Sequence, residues 1–225
     1  MCSSRIRNLH VLISACIFDL DGVIVDTARY HYLAWNRLAK ELRIPFSEQD
    51  NERLKGVSRM KSLDILLSLG GRQASPDEKE RLAMLKNTWF VEYINGMGRS
   101  EIFPGVDNLL KELKSDGVRI ALASSSKNAP QVIGILGLEK AFEVVVDGSM
   151  VKNAKPDPEI FLLAARLLKV PPVNCIVVED AAAGVEAAHA AGMKCIGVGL
   201  PALLGAAELV VGATGEINPN VLNKL

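Results

Sequence analysis

The chain has 225 residues, with 26 basic and 26 acidic side chains and no formal net charge; no basic block or stripe breaks that balance, which argues against a nucleic-acid partner. Hydrophobic residues make up 49% and charged residues 23%, a balance that excludes a largely disordered chain and suits one large domain or a core domain with an insert. No apolar run approaches the roughly 18 residues of a membrane span, so no membrane partner is expected.

The first strand signature is ACIFDL at 15–20. Ahead of it, Arg5 and Arg7 precede a short apolar stretch, and Ile13-Ser14-Ala15-Cys16 resembles a bacterial lipoprotein cleavage site. A secretory apolar region needs roughly 7–15 residues, whereas here it runs only from Leu9 to Ile13 and includes His10. Cleavage there would also remove half of the strand, so export is not expected. Residues 1–10 are an extension of open role. Cys2, Cys16, Cys175 and Cys195 lack metal-ligand spacing, and the last three lie in apolar runs. They read as reduced thiols, which points to the cytoplasm.

From about 27 to 99 the strand signal vanishes. A helix over 27–42 places Ala34, Trp35, Leu38 and Leu42 on one stripe, and Ser47 caps a short helix ending at Gly56. Ser58 caps the next, through Leu69, and Ser75-Pro76-Asp77-Glu78 is a capping box ahead of a long helix bearing Leu82, Leu85, Trp89 and Tyr93. Asn95-Gly96-Met97-Gly98 reads as a return hinge. Residues 27–99 are thus predicted to be an all-helical second domain inserted into a core of residues 1–26 and 100–225.

In that core, RIALAS (119–124), FEVVVD (142–147), NCIVVED (174–180) and KCIGV (194–198) are continuously apolar, as expected of parallel strands covered on both faces. Between them, residues 104–116 form an amphipathic helix on Val106, Leu109, Leu110 and Leu113 that stops at Gly117. Asp157 is the expected N-cap of a helix with Pro158 in first position, and Asp180 is expected to open an Ala-rich helix ending at Gly192. The predicted fold class is α/β, a doubly wound parallel sheet with an inserted helical domain. Ligands of such sheets bind at the C-terminal strand ends, where each residue of chemical interest falls.

Asp19 and Asp21, two apart in an extended chain, point to one side. Alone, the pair reads first as a solvated strand end or turn. A calcium loop does not fit, because the glycine comes too early and positions 23–25 are apolar. Glu179-Asp180 closes another strand at the same edge; by itself it reads as a helix N-cap, but four converging carboxylates call for a hard cation such as Mg²⁺. Ser124 to Asn128 (SSSKN) and Lys155 offer hydroxyls, amide and ammonium to a phosphate. Singly each is an ordinary loop residue; beside the carboxylates they suggest phosphoryl transfer. In the insert, Leu54-Lys55-Gly56-Val57-Ser58-Arg59 is either a plain linker or a second anion site. His31 and Trp35 share a helix face and read as core packing.

Four segments in order, FDLDGVIVDT, the serine of ALASSS, Lys155 in KPDPEIF, and VVEDAAAG, resemble the motifs of the haloacid dehalogenase superfamily. Within it, LKGVSR (54–59), ASSSKNAP (123–130) and Thr27, His31, Ala34 and Trp35 of the first cap helix resemble the β-phosphoglucomutase family. The resemblance weakens after residue 200. It implies a four-helix cap and interconversion of β-D-glucose 1-phosphate and D-glucose 6-phosphate, with Mg²⁺ and β-D-glucose 1,6-bisphosphate as cofactors and sugar phosphates as partners. It also implies Asp19 as nucleophile and Asp21 as acid/base, with Asp19, the Asp21 carbonyl, Asp180 and Glu179 around the metal. Ser124 and Lys155 would hold the transferring phosphoryl group; Arg59, Ser126 and Asn128 the other phosphate. Gly56, Val57, Ser58 and Lys127 would line the sugar pocket, while His31 and Lys55 would couple cap movement to Asp21. A cap that opens and closes favours a monomer. A sugar-phosphate phosphatase of the same superfamily, and a non-catalytic Mg²⁺-dependent phospho-acceptor switch, are the alternatives.

Overall fold

In the computed structural model, which describes residues 13–54, 57–222 and 225, the run at 15–20 becomes strand β1 (Ala15–Phe18), buried along its length. It lies between β2 (Arg119–Ala123) and β4 (Cys175–Glu179); β3 (Val144–Val146), β5 (Lys194–Val198) and β6 (Leu209–Val211) extend the sheet in the order β3-β2-β1-β4-β5-β6. Every neighbouring pair is parallel. Successive strand residues face opposite sides. Cys16 and Phe18 therefore enter one apolar cluster with α5 (Val106–Ser115) and α6 (Ala129–Leu136), and Ala15 and Ile17 a second with α7 (Glu159–Leu168) and α8 (Ala182–Ala190). Cys16, Cys175 and Cys195 are buried free thiols, and burial pushes the Cys16 thiol up to about 12.

β6 was not anticipated. Its Leu209-Val210-Val211 is too short to stand out, and the tail that follows does more than end the chain. Thr214 is 1% exposed and donates its hydroxyl to the Val23 carbonyl at 2.7 Å, tying the tail to the loop after β1. Thr214→Val should leave that carbonyl unpaired at the cost of about 1–3 kcal/mol. A thermal melt would register it, and an unchanged Tm would show that the bond does not hold the loop.

Between β1 and β2 lie α1 (Ala28–Leu42), α2 (Glu48–Glu52), α3 (Arg59–Leu69) and α4 (Pro76–Ile94). The two connections to the core run side by side, with Val25 and Ile102 forming an antiparallel bridge and the Phe103 N–H donating to the Ile24 carbonyl at 3.0 Å. Cap chemistry explains the boundaries. Ser47 and Asp50 form the reciprocal box, and α2 ends at Glu52 rather than at Gly56. At Ser75 only half the expected box forms: its hydroxyl accepts from Glu78 N–H, but the Glu78 carboxylate pairs with Arg72. In the core, the cap of α7 is Pro158, with Asp157 accepting from Glu159 N–H, and Ala181 rather than Asp180 caps α8. The buried face of α4 holds Leu82, Ala83, Lys86, Trp89, Phe90 and Ile94, so it is rotated from the expected stripe; Leu85 and Tyr93 are half-buried, and a lysine sits inside. No helix among the described residues is long and apolar enough to cross a membrane.

Candidate active site

The ladder between β1 and β4 continues one residue past the strand, with Asp19 N–H donating to the Val178 carbonyl at 2.9 Å, and this sets the Asp19 carboxylate at the sheet edge. Gly22 then turns the chain at φ 75°; a Cβ here would lie 2.1 Å from Asp180 Oδ2, so only glycine lets the two loops approach. The turn brings the Asp21 N–H back onto Asp19 Oδ2 at 2.9 Å, while Lys155 Nζ donates to Asp19 Oδ1 at 2.5 Å. Both carboxylate oxygens are thereby oriented, and Asp19 remains 6% exposed.

Lys155 also reaches Glu179 Oε1 at 3.3 Å and Oε2 at 3.4 Å. Burial alone would push its ammonium down, but the charges and hydrogen bonds of Asp19 and Glu179 outweigh that, and its pKa is raised. Glu179, with no exposed surface, is held well above the usual carboxylate range by burial and by the Asp19 charge, against the pull of Lys155. Its carboxylate fits beneath α8 because residue 184 is glycine: a Cβ would sit 1.8 Å from Glu179 Oε1. Gly184→Ala should force that carboxylate off Lys155 and cost about 1–3 kcal/mol; an unaltered melting temperature would contradict so tight a fit.

Asp19, Glu179 and Asp180 each offer an oxygen within 4.8 Å of the others. An all-oxygen carboxylate set of this size suits a hard divalent cation. Lys155 compensates Asp19 and Glu179 in part, Asp19 at 2.5 Å and Glu179 at 3.3 Å. Asp21 differs from all three. Its Oδ1 is buried with no hydrogen-bond partner, and burial, followed by the charges of Asp19 and Asp180, holds its carboxyl well above the usual range. A buried carboxyl with a raised pKa beside a nucleophile candidate has the properties a proton donor needs.

These groups open into a cavity of about 630 Å³ between core and cap. The core side contributes Asp19, Asp21, Ser124, Ser126, Lys127 and Asp180; the cap side contributes His31, Trp35, Val57, Ser58 and Arg59. Ser124 accepts the Ser126 N–H at 3.1 Å on its hydroxyl oxygen, leaving its own proton to donate. Arg59 is half-buried, and among the described residues it makes neither an ion pair nor a hydrogen bond. Burial lowers its pKa, and no carboxylate offsets the shift. Thr27 is buried at the start of α1 and does not line the cavity; neither do Lys155, Glu179 and Asn128. Lys55 and Gly56 lie outside the described residues.

Sequence reasoning missed Lys86. Only 1% exposed, it places Nζ 2.8 Å from His31 Nδ1 and over the Trp35 and Phe90 rings, 4.7 Å from each centroid. Burial, then the Arg59 charge, pushes its pKa well down, against the pull of Asp21; His31 is pushed down by burial and by the charges of Lys86 and Arg59. The available signal was a lysine at the helical spacing of Leu82 and Trp89, where apolar periodicity demands a hydrophobe.

A carboxylate oriented at the end of a parallel strand, with a second, buried carboxyl two residues on and a lysine-balanced carboxylate set behind it, is an arrangement suited to phosphoryl transfer. Residues 13–192 match the family model of haloacid dehalogenase-like hydrolases, and the chain belongs to that family, in its β-phosphoglucomutase branch. It is 42% identical over 212 residues to a β-phosphoglucomutase of Bacillus subtilis strain 168, covering 93% of this chain and 94% of that one. A solved β-phosphoglucomutase from Clostridium difficile is 44% identical with a TM-score of 0.92, over 95% of this chain and 96% of that one. A phosphorylated carbohydrates phosphatase of Thermotoga maritima is 38% identical over 216 residues, covering 94% and 97% of the two chains.

Proposed function

We propose that this enzyme is a Mg²⁺-dependent phosphomutase that interconverts β-D-glucose 1-phosphate and D-glucose 6-phosphate through an aspartyl phosphate and β-D-glucose 1,6-bisphosphate. One observation carries the mutase reading: donors face the cavity at two ends, Ser124 on the core, with Lys155 bonded to Asp19 just behind it, and the unpaired Arg59 on the cap. A half-buried guanidinium without a carboxylate partner is costly unless an anion joins it. A bisphosphate supplies one phosphate to each end.

In this reading the C6 hydroxyl of β-glucose 1-phosphate attacks the phosphorus of phosphorylated Asp19, Asp21 takes the proton of that hydroxyl, and the Asp19–phosphorus bond breaks to leave the 1,6-bisphosphate. The bisphosphate turns end for end; a carboxylate oxygen of Asp19 attacks the C1 phosphorus, the bond from phosphorus to the C1 oxygen breaks, and Asp21 protonates that oxygen, which releases glucose 6-phosphate and restores the phosphorylated Asp19. Ser124 and Lys155 steady the moving phosphoryl group. Arg59, Ser126 and Asn128 hold the stationary one, and Val57, Ser58 and Lys127 face the sugar, joined on resemblance by Lys55 and Gly56. His31, Trp35 and Lys86 form the wall that a cap movement would carry towards Asp21. Mg²⁺, held by Asp19, the Asp21 carbonyl and Asp180 with Glu179 behind, would neutralise charge on the transferring phosphoryl group. We place the cap at residues 27–99, the protein in the cytoplasm and its working form as a monomer.

The Thermotoga maritima relative keeps a phosphatase as the second reading. In a coupled assay for glucose 6-phosphate, activity on β-glucose 1-phosphate should require Mg²⁺, vanish with a chelator and lose its lag when trace β-glucose 1,6-bisphosphate is added. A steady rate indifferent to the bisphosphate would contradict the bisphosphate route.

A further inference from the structure

Asn128 does not line the cavity, although its neighbours Ser126 and Lys127 do. Its Nδ2 instead donates to Oδ1 of Asn87 on α4, at 2.8 Å, across the seam between core and cap. The Asn128 backbone N–H is occupied by Ser126 Oγ at 3.2 Å, so the peptide is fixed and only side-chain torsions remain to be set. A second amide pair crosses the same seam, Gln131 Nε2 donating to Asn95 Oδ1 at 3.2 Å. In both pairs the core side donates and the α4 side accepts.

A carboxamide offers an anion either a donor or an acceptor, depending on which end is turned towards it. Asn87 Oδ1 can accept only from the nitrogen end of Asn128. The pair therefore turns that nitrogen towards the cap, the side from which Arg59 enters the cavity, and uses one of its two hydrogens. We propose that Asn87 is a positioning residue, which sets the Asn128 amide so that its second Nδ2 hydrogen is presented to the phosphate held by Arg59. The proposal rests on the role given to Asn128 above. It makes α4 double-acting: Lys86 serves the wall near Asp21, and the next residue serves the stationary phosphate.

The test is a double-mutant cycle on the full chain with Mg²⁺: Asn87→Ala, Asn128→Ala and both together, with Asn87→Ser as a milder companion. KM and kcat for β-glucose 1-phosphate are followed through whichever product the wild type forms. Loss of one oriented bond to a charged phosphate should raise KM about five- to twentyfold for each alanine variant, with kcat within about twofold. The serine variant should move the same way, and the double variant should be no worse than Asn128→Ala alone, because Asn87 acts through Asn128. An unchanged KM in Asn87→Ala, or a double variant equal to the product of the singles, overturns the proposal. An unchanged KM in Asn128→Ala overturns it together with the assignment of Asn128. If the wild type releases only free phosphate, the mutase reading fails, and the same KM cycle still decides on Asn87.

Discussion

Asp19→Asn is expected to lower turnover by about 10⁴-fold or more, since the proposed reaction passes through this carboxylate. The substitution keeps the shape of the side chain and removes its charge, so the fold should survive: Lys155 retains Glu179, at 3.3 Å, as its counterion. Activity and folding are therefore separable. A labelled phosphoryl donor should mark the wild-type chain and leave the asparagine variant unmarked, with both giving cooperative melts. Labelling that persists in Asp19→Asn would move the nucleophile elsewhere.

Asp21→Asn is the second large effect, of about 10²–10⁴-fold on mutase turnover, the usual share of a general acid and base. Its Oδ1 is the one buried side-chain atom without a hydrogen-bond partner among the described residues, which suits a group whose partner is the reacting sugar oxygen. The variant should still be phosphorylated on Asp19 by an acyl phosphate, whose leaving group departs without a proton. Retained mutase turnover would remove Asp21 from the proton path and favour the phospho-acceptor switch. Failure to label with the acyl phosphate would show that Asp21 acts on the nucleophile itself.

The sheet was readable because buried parallel strands are continuous apolar runs, and each of the five runs singled out became a strand, the one at 142–147 only over Val144–Val146. β6, at three residues, carries too little pattern to be seen before its neighbours are known. Asp19, Asp21, Ser124, Lys155, Glu179 and Asp180 could be gathered from sequence because strand polarity brings strand ends and the loops beyond them to one edge. What composition could not reveal was their division of labour. Lys155 is claimed by Asp19 and Glu179, whereas Asp21 Oδ1 is buried without a hydrogen-bond partner, and both facts come from burial and distance rather than residue type. Lys86 and Asn87 escaped for a related reason. Helical periodicity treats a polar residue as outward-facing, yet one is buried against His31 and the other is tied across to Asn128.

The central claim is that the phosphoryl group passes from one oxygen of the sugar to another instead of to water. Phosphorus NMR of the wild-type enzyme with Mg²⁺, β-glucose 1-phosphate and a trace of β-glucose 1,6-bisphosphate reads this directly. The C1-phosphate resonance should be replaced by that of the C6-phosphate, with inorganic phosphate remaining a minor signal throughout. Growth of inorganic phosphate at the rate of substrate loss, with no C6-phosphate, would contradict the account and make the enzyme a phosphatase.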